Sequence, residues 1–264
     1  AYDSNAQKVI VSYADNSNSS YGEAVVGTVS GTSISFGSPV VFESANTASS
    51  PTVTVYDSDA QKVVIAYQDG GNSSYGTAIV GTVSGTSISF GTPTVFNSGT
   101  TAEFSGTYDT AARKVASVYR NTSNSNVGGI IAGSVSGTSI SFGSTTSFDS
   151  APSEKFSSVF DPSTEKTITV YRHGSGEVGR VVVFNLATIN LTSENYIGIS
   201  SGGTYADGSN ATVNIIGNTS DDQSSLTAGQ SYFVQTDGTI GLTADDPSVF
   251  AGTAISATKL IVKT

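Results

Sequence analysis

The chain has 264 residues, a formal net charge of −10 and no Cys, Met or Trp. That charge argues against a nucleic-acid or anionic-membrane partner, which needs clustered Lys and Arg, and the missing Cys removes disulfides and thiolate metal sites. Helix formers are scarce beside Gly, Ser, Thr, β-branched and Tyr/Phe residues, which predicts an all-β protein, and no apolar run of about 18 residues exists to insert into a membrane as a helix.

In chain order, Ala1 opens on YDSNAQK, a segment found elsewhere in mid-repeat, with neither an initiator Met nor a signal-peptide pattern before it. The expectation is a processed product or an excised piece of something longer. The twelve residues VGTVSGTSISFG at 26–37 recur at 80–91 and, as AGSVSGTSISFG, at 132–143. Tyr2-Asp3, Tyr56-Asp57, Tyr108-Asp109 and Phe160-Asp161 mark successive repeats, 54, 52 and 52 residues apart, and the extra residues fall between Phe42 and Tyr56.

Each full repeat reads as four strands. Run A is PTVTVY at 51–56 and, after a DSDAQ turn, run B is KVVIAY at 62–67; run C is GTAIVGTV at 76–83 and, after Ser84-Gly85, run D is SISFGTPTVF at 87–96. This predicts an all-β, β-propeller-like array of about four ~52-residue four-stranded repeats over 1–186, the first lacking run A and the fourth lacking run D. In run B, Val63, Ile65 and Tyr67 alternate with Val64 and Ala66. A strand apolar on both faces is covered on both sides. Stacked blades supply that cover, and a two-sheet sandwich or a β-solenoid is the alternative. So few blades leave three routes: upstream blades, a ring completed by separate chains, or sheets that stack without closing.

The A–B turns (DSNAQK, DSDAQK, DTAARK, DPSTEK) and the SGTS C–D turns hardly vary, and strand alternation puts them at one end. They read as scaffold. The B–C loops and D–A loops vary and emerge at the other end, where binding loops are expected. The candidate ligand-binding residues are therefore Asp15, Tyr21, Gln68, Asp69, Tyr75, Arg120, Arg172 and His173, against the alternative of solvated loops without a role.

No catalytic residue is assigned and no enzyme is expected. His173 is the sole histidine, so a Ser-His-Asp triad has no specific signal. Glu23, Glu43, Glu103, Glu154, Glu165 and Glu177 do not recur at one repeat position as a glycosidase carboxylate pair. Asp57-Ser58-Asp59 and Asp15 to Asn18 offer oxygens to Ca²⁺ but lack the D-x-[DN]-x-[DN]-G pattern. Such turns also form for backbone reasons alone. No cofactor is expected, Ca²⁺ being the one candidate.

After Leu186 a different register begins, predicting a small antiparallel β-domain over 187–264 with Asp237-Gly238 as a hairpin turn. Its last strand, 259–263, alternates lysine with apolar residues and reads as a protected edge strand.

The VGTVSGTSISFG repeats with YDSDAQKVVIAYQD, followed by NYIGIS, GQSYFVQTDGTI and DPSVFAGTAISATKLIVK, resemble tail-fibre and other surface structural proteins of marine tailed bacteriophages over nearly the whole chain. The resemblance implies a virion-surface or extracellular protein that binds or adheres, with other copies of itself or other virion structural proteins as partners. Loops rich in Tyr, Asn, Asp and Gln suit a host surface polysaccharide. The alternatives are a structural subunit of a filament, fibre shaft or capsid decoration with no ligand, and a carbohydrate-degrading enzyme.

Overall fold

Asp3, Asp57, Asp109 and Asp161 each open an A–B turn, and the Oδ1 of each accepts the N–H two residues on; the first three also accept the next N–H. Gln7, Gln61, Arg113 and Glu165 then take a left-handed conformation (φ 54–56°) that returns the chain. At the C–D turns the left-handed residue is Gly31, Gly85 or Gly137, each the first central residue of a two-residue hairpin. Glycine is the residue that a type II′ hairpin wants there. Both turns are therefore encoded locally, as side-chain acceptors and glycine.

A computed structural model describes residues 1–174, 178–186, 196–201, 210, 212–235, 239–244 and 248–263. Every regular element among them is a β-strand, and all pairings are antiparallel. The chain forms two compact units, Ala1–Ala187 and Thr188–Thr264.

In the first unit, β1 (Tyr2–Asp3), β2 (Lys8–Asp15), β3 (Tyr21–Ser30), β4 (Ser33–Phe36) and β5 (Val40–Asn46) make sheet one. Sheet two contains β6 (Val53–Asp57), β7 (Lys62–Asp69), β8 (Tyr75–Ser84), β9 (Ser87–Phe90) and the start of β10 (Thr94–Asp109). Sheet three contains the rest of β10, β11 (Lys114–Asn121), β12 (Val127–Ser136), β13 (Ser139–Phe142) and the start of β14 (Thr146–Asp161). Sheet four is the rest of β14, β15 (Lys166–His173) and β16 (Val178–Phe184).

Two expectations change here. Run D is two strands, β9 and the start of β10, both paired to β8. The break falls at 91–93 and recurs at 37–39 and 143–145, whether its last residue is Pro39, Pro93 or Thr145. The last two D–A connections are not loops, because β10 and β14 run unbroken from one sheet into the next. Left-handed Glu103 and Lys155 sit at the register shifts where each strand changes sheets. Their N–H groups are held by the preceding repeat, by Ser50 Oγ at 2.7 Å and Glu103 Oε2 at 2.6 Å.

The sheets stack face to face. Val63, Ile65, Tyr67 and Ile79 of sheet two pack with Ile10, Ala24 and Val26 of sheet one, while Val64, Ala66, Ala78 and Val80 pack with Val115, Tyr119, Ile131 and Ile140 of sheet three. Alternation along β7 thus feeds two cores, each buried Val or Ile contributing about 1.5–3 kcal/mol. Glycine permits the close approach: a Cβ on Gly37 or Gly91 would lie 2.0 or 1.9 Å from the carbonyl oxygen of Thr86 or Thr138 in the next sheet.

Among the described residues sheet four has no run D, and one residue compensates. Gly27, Gly81 and Gly133 leave room for Ile34, Ile88 and Ile140, whose Cδ1 atoms an added Cβ would meet at 2.7, 2.6 and 2.6 Å. At the equivalent ladder position, opposite Thr167, stands Phe184, which packs 5.5 Å from the ring of Phe148. The phenyl ring occupies space that the missing strand would have used.

The second unit holds β17 (Gly198–Ser201) paired with β18 (Thr212–Ile215), and a sheet ordered β19 (Thr219–Ser220), β23 (Leu260–Val262), β22 (Phe250–Ala254), β20 (Ser231–Val234), β21 (Ile240–Gly241). β20 and β21 pair, while Asp237-Gly238 between them lies outside the described residues. The terminal strand is not an edge: β23 pairs with β19 on one side and β22 on the other, burying Leu260 and Val262 completely. Its apolar side chains are needed in the core of this small sheet. Its flanking Lys259 and Lys263 reach Asp221 and the face of Tyr196. The Tyr196 hydroxyl donates to the Ala251 carbonyl, and burial pushes its pKa up to about 12.

Candidate functional site

The B–C loops begin at one ladder position occupied in turn by Asp15, Asp69, Asn121 and His173. Asp15 Oδ1 accepts the Ser17 N–H at 2.8 Å and the Ser17 hydroxyl at 2.6 Å, and Asp69 Oδ1 accepts the N–H groups of Gly71 and Asn72. Hydrogen bonds from Ser17 hold the Asp15 carboxyl below its ordinary pKa. The first three loops then take two successive left-handed residues, Ser19–Ser20, Ser73–Ser74 and Ser125–Asn126. Two non-glycine residues in that region cost about 1 kcal/mol or more each. The Oδ1 of each aspartate thus shapes its own loop.

Across each sheet-to-sheet junction the loop-start region meets a residue from the preceding repeat. At the first junction, Tyr67 donates to Glu43 at 3.2 Å, and burial followed by the nearby Asp69 charge raises the Glu43 pKa. At the second, Asn121 Nδ2 donates to Asn97 Oδ1 at 3.3 Å. At the third, His173 Nδ1 lies 2.7 Å from Asp149 Oδ2, which also accepts from Tyr171 at 2.9 Å and lies 3.5 Å from Arg180. One repeated junction thus carries a like-charged, a neutral and an attractive pair. Burial pushes the Asp149 carboxyl up, but hydrogen bonds from His173, the Ala151 N–H and Tyr171 outweigh it and lower the pKa.

His173 and Asp149 have the geometry of two members of a hydrolytic triad. No serine hydroxyl bonds the His173 ring among the described residues.

Gln68, Arg120 and Arg172 occupy the preceding ladder position in three repeats. Gln68 Nε2 donates to the Thr101 carbonyl at 2.7 Å. Arg120 lies 3.3 Å from Glu103 and 3.6 Å from Glu154, and Arg172 also pairs with Glu154. Gln68 and Arg120 bridge adjacent sheets where β10 and β14 change sheet, while Arg172 meets Glu154, its ladder partner, within sheet four. The arginines and glutamates are partly exposed, so each ion pair is worth at most about 1 kcal/mol. Tyr21 and Tyr75 begin β3 and β8 half-buried, opposite Asn46 and Thr100, and Val127 and Val178 replace them in the later repeats.

The structure therefore brings Arg120 and Arg172 together through Glu154, and His173 to Asp149, while Asp15, Tyr21, Asp69 and Tyr75 serve their own loops and strands. Sequence reasoning missed Glu43, Asp149 and the bridging roles of Glu103 and Glu154. An alignment of the repeats carries a signal for the first two, since the column Glu43, Asn97, Asp149 varies in step with Asp69, Asn121, His173. Glu177 lies outside the described residues. Of the Ca²⁺ candidates, Asp57 Oδ1 accepts the N–H groups of Asp59 and Ala60, and Asp59 pairs with Arg113 at 2.5 Å. No group of three or more metal-ligating side chains occurs among the described residues.

Beside Asp149 an open groove of about 550 Å³ is lined by Asn124, Ser125, Ser147, Phe148, Asp149 and Ser150. A second, of about 450 Å³, includes Ser12, Tyr13, Asn16, Ser50 and Thr52. Amide, hydroxyl and carboxylate groups beside an aromatic ring can hydrogen-bond and pack against a polyhydroxylated ligand. No helix in the described residues is long and apolar enough to cross a membrane. No protein-family model matches the chain, and no curated protein is significantly similar to it.

Proposed function

We propose that the chain is a non-enzymatic binding or adhesion protein of a virion surface or extracellular assembly. Its first unit acts as a propeller-like stack of blades that presents its variable loops to a surface polysaccharide. The observation that carries this reading is the groove beside Asp149, whose lining combines Asn124, Ser125, Ser147 and Ser150 with the ring of Phe148. The strands that carry it, β11, β12 and β14, are paired to one another, and the Asx turns at Asp109 and Asp161 fix the opposite end of these sheets. A rigid base with polar loops loses little ordering entropy on binding.

A panel of surface polysaccharides tests the reading. Binding to at least one, weakened about fivefold by Asn124→Ala as expected for about 1 kcal/mol of lost hydrogen bonding, supports it. No binding to any polysaccharide counts against it.

A second reading, a structural subunit of a filament, fibre shaft or capsid decoration without a ligand, is favoured by the apolar outer faces of sheets one and four. It expects the same panel to give no binding and chain contacts to fall on those faces.

A further inference from the structure

The outer face of sheet one presents Val11, Ile34 and Phe36, which are 40%, 42% and 53% exposed. Their repeat equivalents in sheet two, Ile65 and Ile88, are 0% and 3% exposed, and Phe90 packs against the same cluster, because sheet one covers them. The outer face of sheet four presents Val170, Val181 and Val183, 45%, 64% and 57% exposed. Val118 and Ile130, at the ladder positions of Val170 and Val181, are 0% and 2% exposed and lie in the core with Phe148 and Phe156. The two uncovered faces are thus the two halves of the interface already formed between successive sheets within the chain. Exposed apolar patches of this kind mark interaction sites.

We propose that the outer face of sheet four receives the outer face of sheet one of a second copy of this chain, head to tail, continuing the stack between molecules. What argues for a second copy over another partner is that each face already has its complement on the same molecule. The complement is tested by the internal junctions, where the same positions are buried. Such a pairing is heterologous, so it closes into a ring when the rotation permits and otherwise grows as a filament. Two copies closing on each other would give eight sheets, within the range of known closed propellers. The proposal does not rest on the polysaccharide reading, since the faces lie between sheets and the groove at their loop end.

An internal contact supplies a specific test. Arg113 in the A–B turn of sheet three pairs with Asp59 in that of sheet two at 2.5 Å. The equivalent positions across the proposed junction are Gln7 of one copy and Ser163 of the other. The experiment uses sedimentation of the full chain over a wide concentration range, with Val11→Lys and Val181→Lys as face-blocking variants. Each substitution is at an exposed position, and circular dichroism checks the fold.

The expected results are association of the parent, loss of self-association in each variant alone, and a one-to-one complex when the two variants are mixed, since one intact junction remains. The double variant Gln7→Arg with Ser163→Asp is expected to associate several-fold more tightly than the parent. A parent that stays monomeric throughout, because another segment or another protein covers the faces, overturns the proposal. So does retention of self-association by either variant, which would mean a face pairing with itself. Should one variant misfold, Phe36→Lys and Val183→Lys repeat the mixing test on the same two faces.

Discussion

Tyr67 donates its phenolic hydrogen to Glu43 at 3.2 Å while its ring packs edge-on against Phe42, centroids 5.1 Å apart, and both partners belong to the preceding repeat. The ring contact recurs as Tyr119 on Phe96 and Tyr171 on Phe148, each at 5.2 Å. One tyrosine per sheet therefore plugs into its predecessor.

Tyr67→Ala should open a cavity in a fully buried site and cost about 3–5 kcal/mol, whereas Tyr13→Ala, at the same repeat position on the uncovered face of sheet one, should cost less than about 1 kcal/mol. Urea unfolding of both variants measures the difference. Equal losses would mean that Tyr13 is covered in solution.

Gly91→Ala should destabilise by about 2 kcal/mol or more, because its Cβ would meet the Thr138 backbone oxygen at 1.9 Å. Gly143→Ala, the repeat equivalent, meets nothing nearer than 4.0 Å, since sheet four has no C–D turn among the described residues, and should stay within about 0.5 kcal/mol of the parent. Thermal unfolding of the pair decides whether the C–D turn contact is structural.

Glu43 binds its proton more tightly in the folded protein than in the unfolded chain, through burial and then the Asp69 charge. Stability should therefore fall as pH rises through the ordinary glutamate range, about pH 4.3, into the raised one. Glu43→Gln keeps an acceptor for Tyr67 and removes the charge. It should be more stable than the parent at neutral pH, by less than about 1 kcal/mol given partial solvent screening, and should flatten this part of a pH series of urea midpoints.

Asp149 behaves oppositely, since its folded pKa is lowered. Its contribution is present above the ordinary aspartate value, about 3.9, and is lost as pH falls through the lowered folded value. Asp149→Asn should cost about 1–2 kcal/mol at neutral pH through the weakened His173 and Tyr171 bonds. Below the lowered value its stability should converge on that of the parent, read by the same midpoints.

All-β character was legible in the chain because strand alternation has a period of two and turn chemistry is local: Asp57 and Gly85 act within four residues of themselves. The apolar alternation of Val63 to Tyr67 likewise announced a strand covered on both faces, since each face must find its own apolar partner. What covers each face, and which polar groups meet there, was decided only when sheets stacked. Asp149 comes to His173 across 24 residues, Arg120 and Arg172 share Glu154, and β23 enters the interior of its sheet. Lys259 to Lys263 reads as an edge because period two states only which face a side chain takes. It is silent on the hydrogen-bonding sides of the strand, and those are assigned by the strands that fold up beside it.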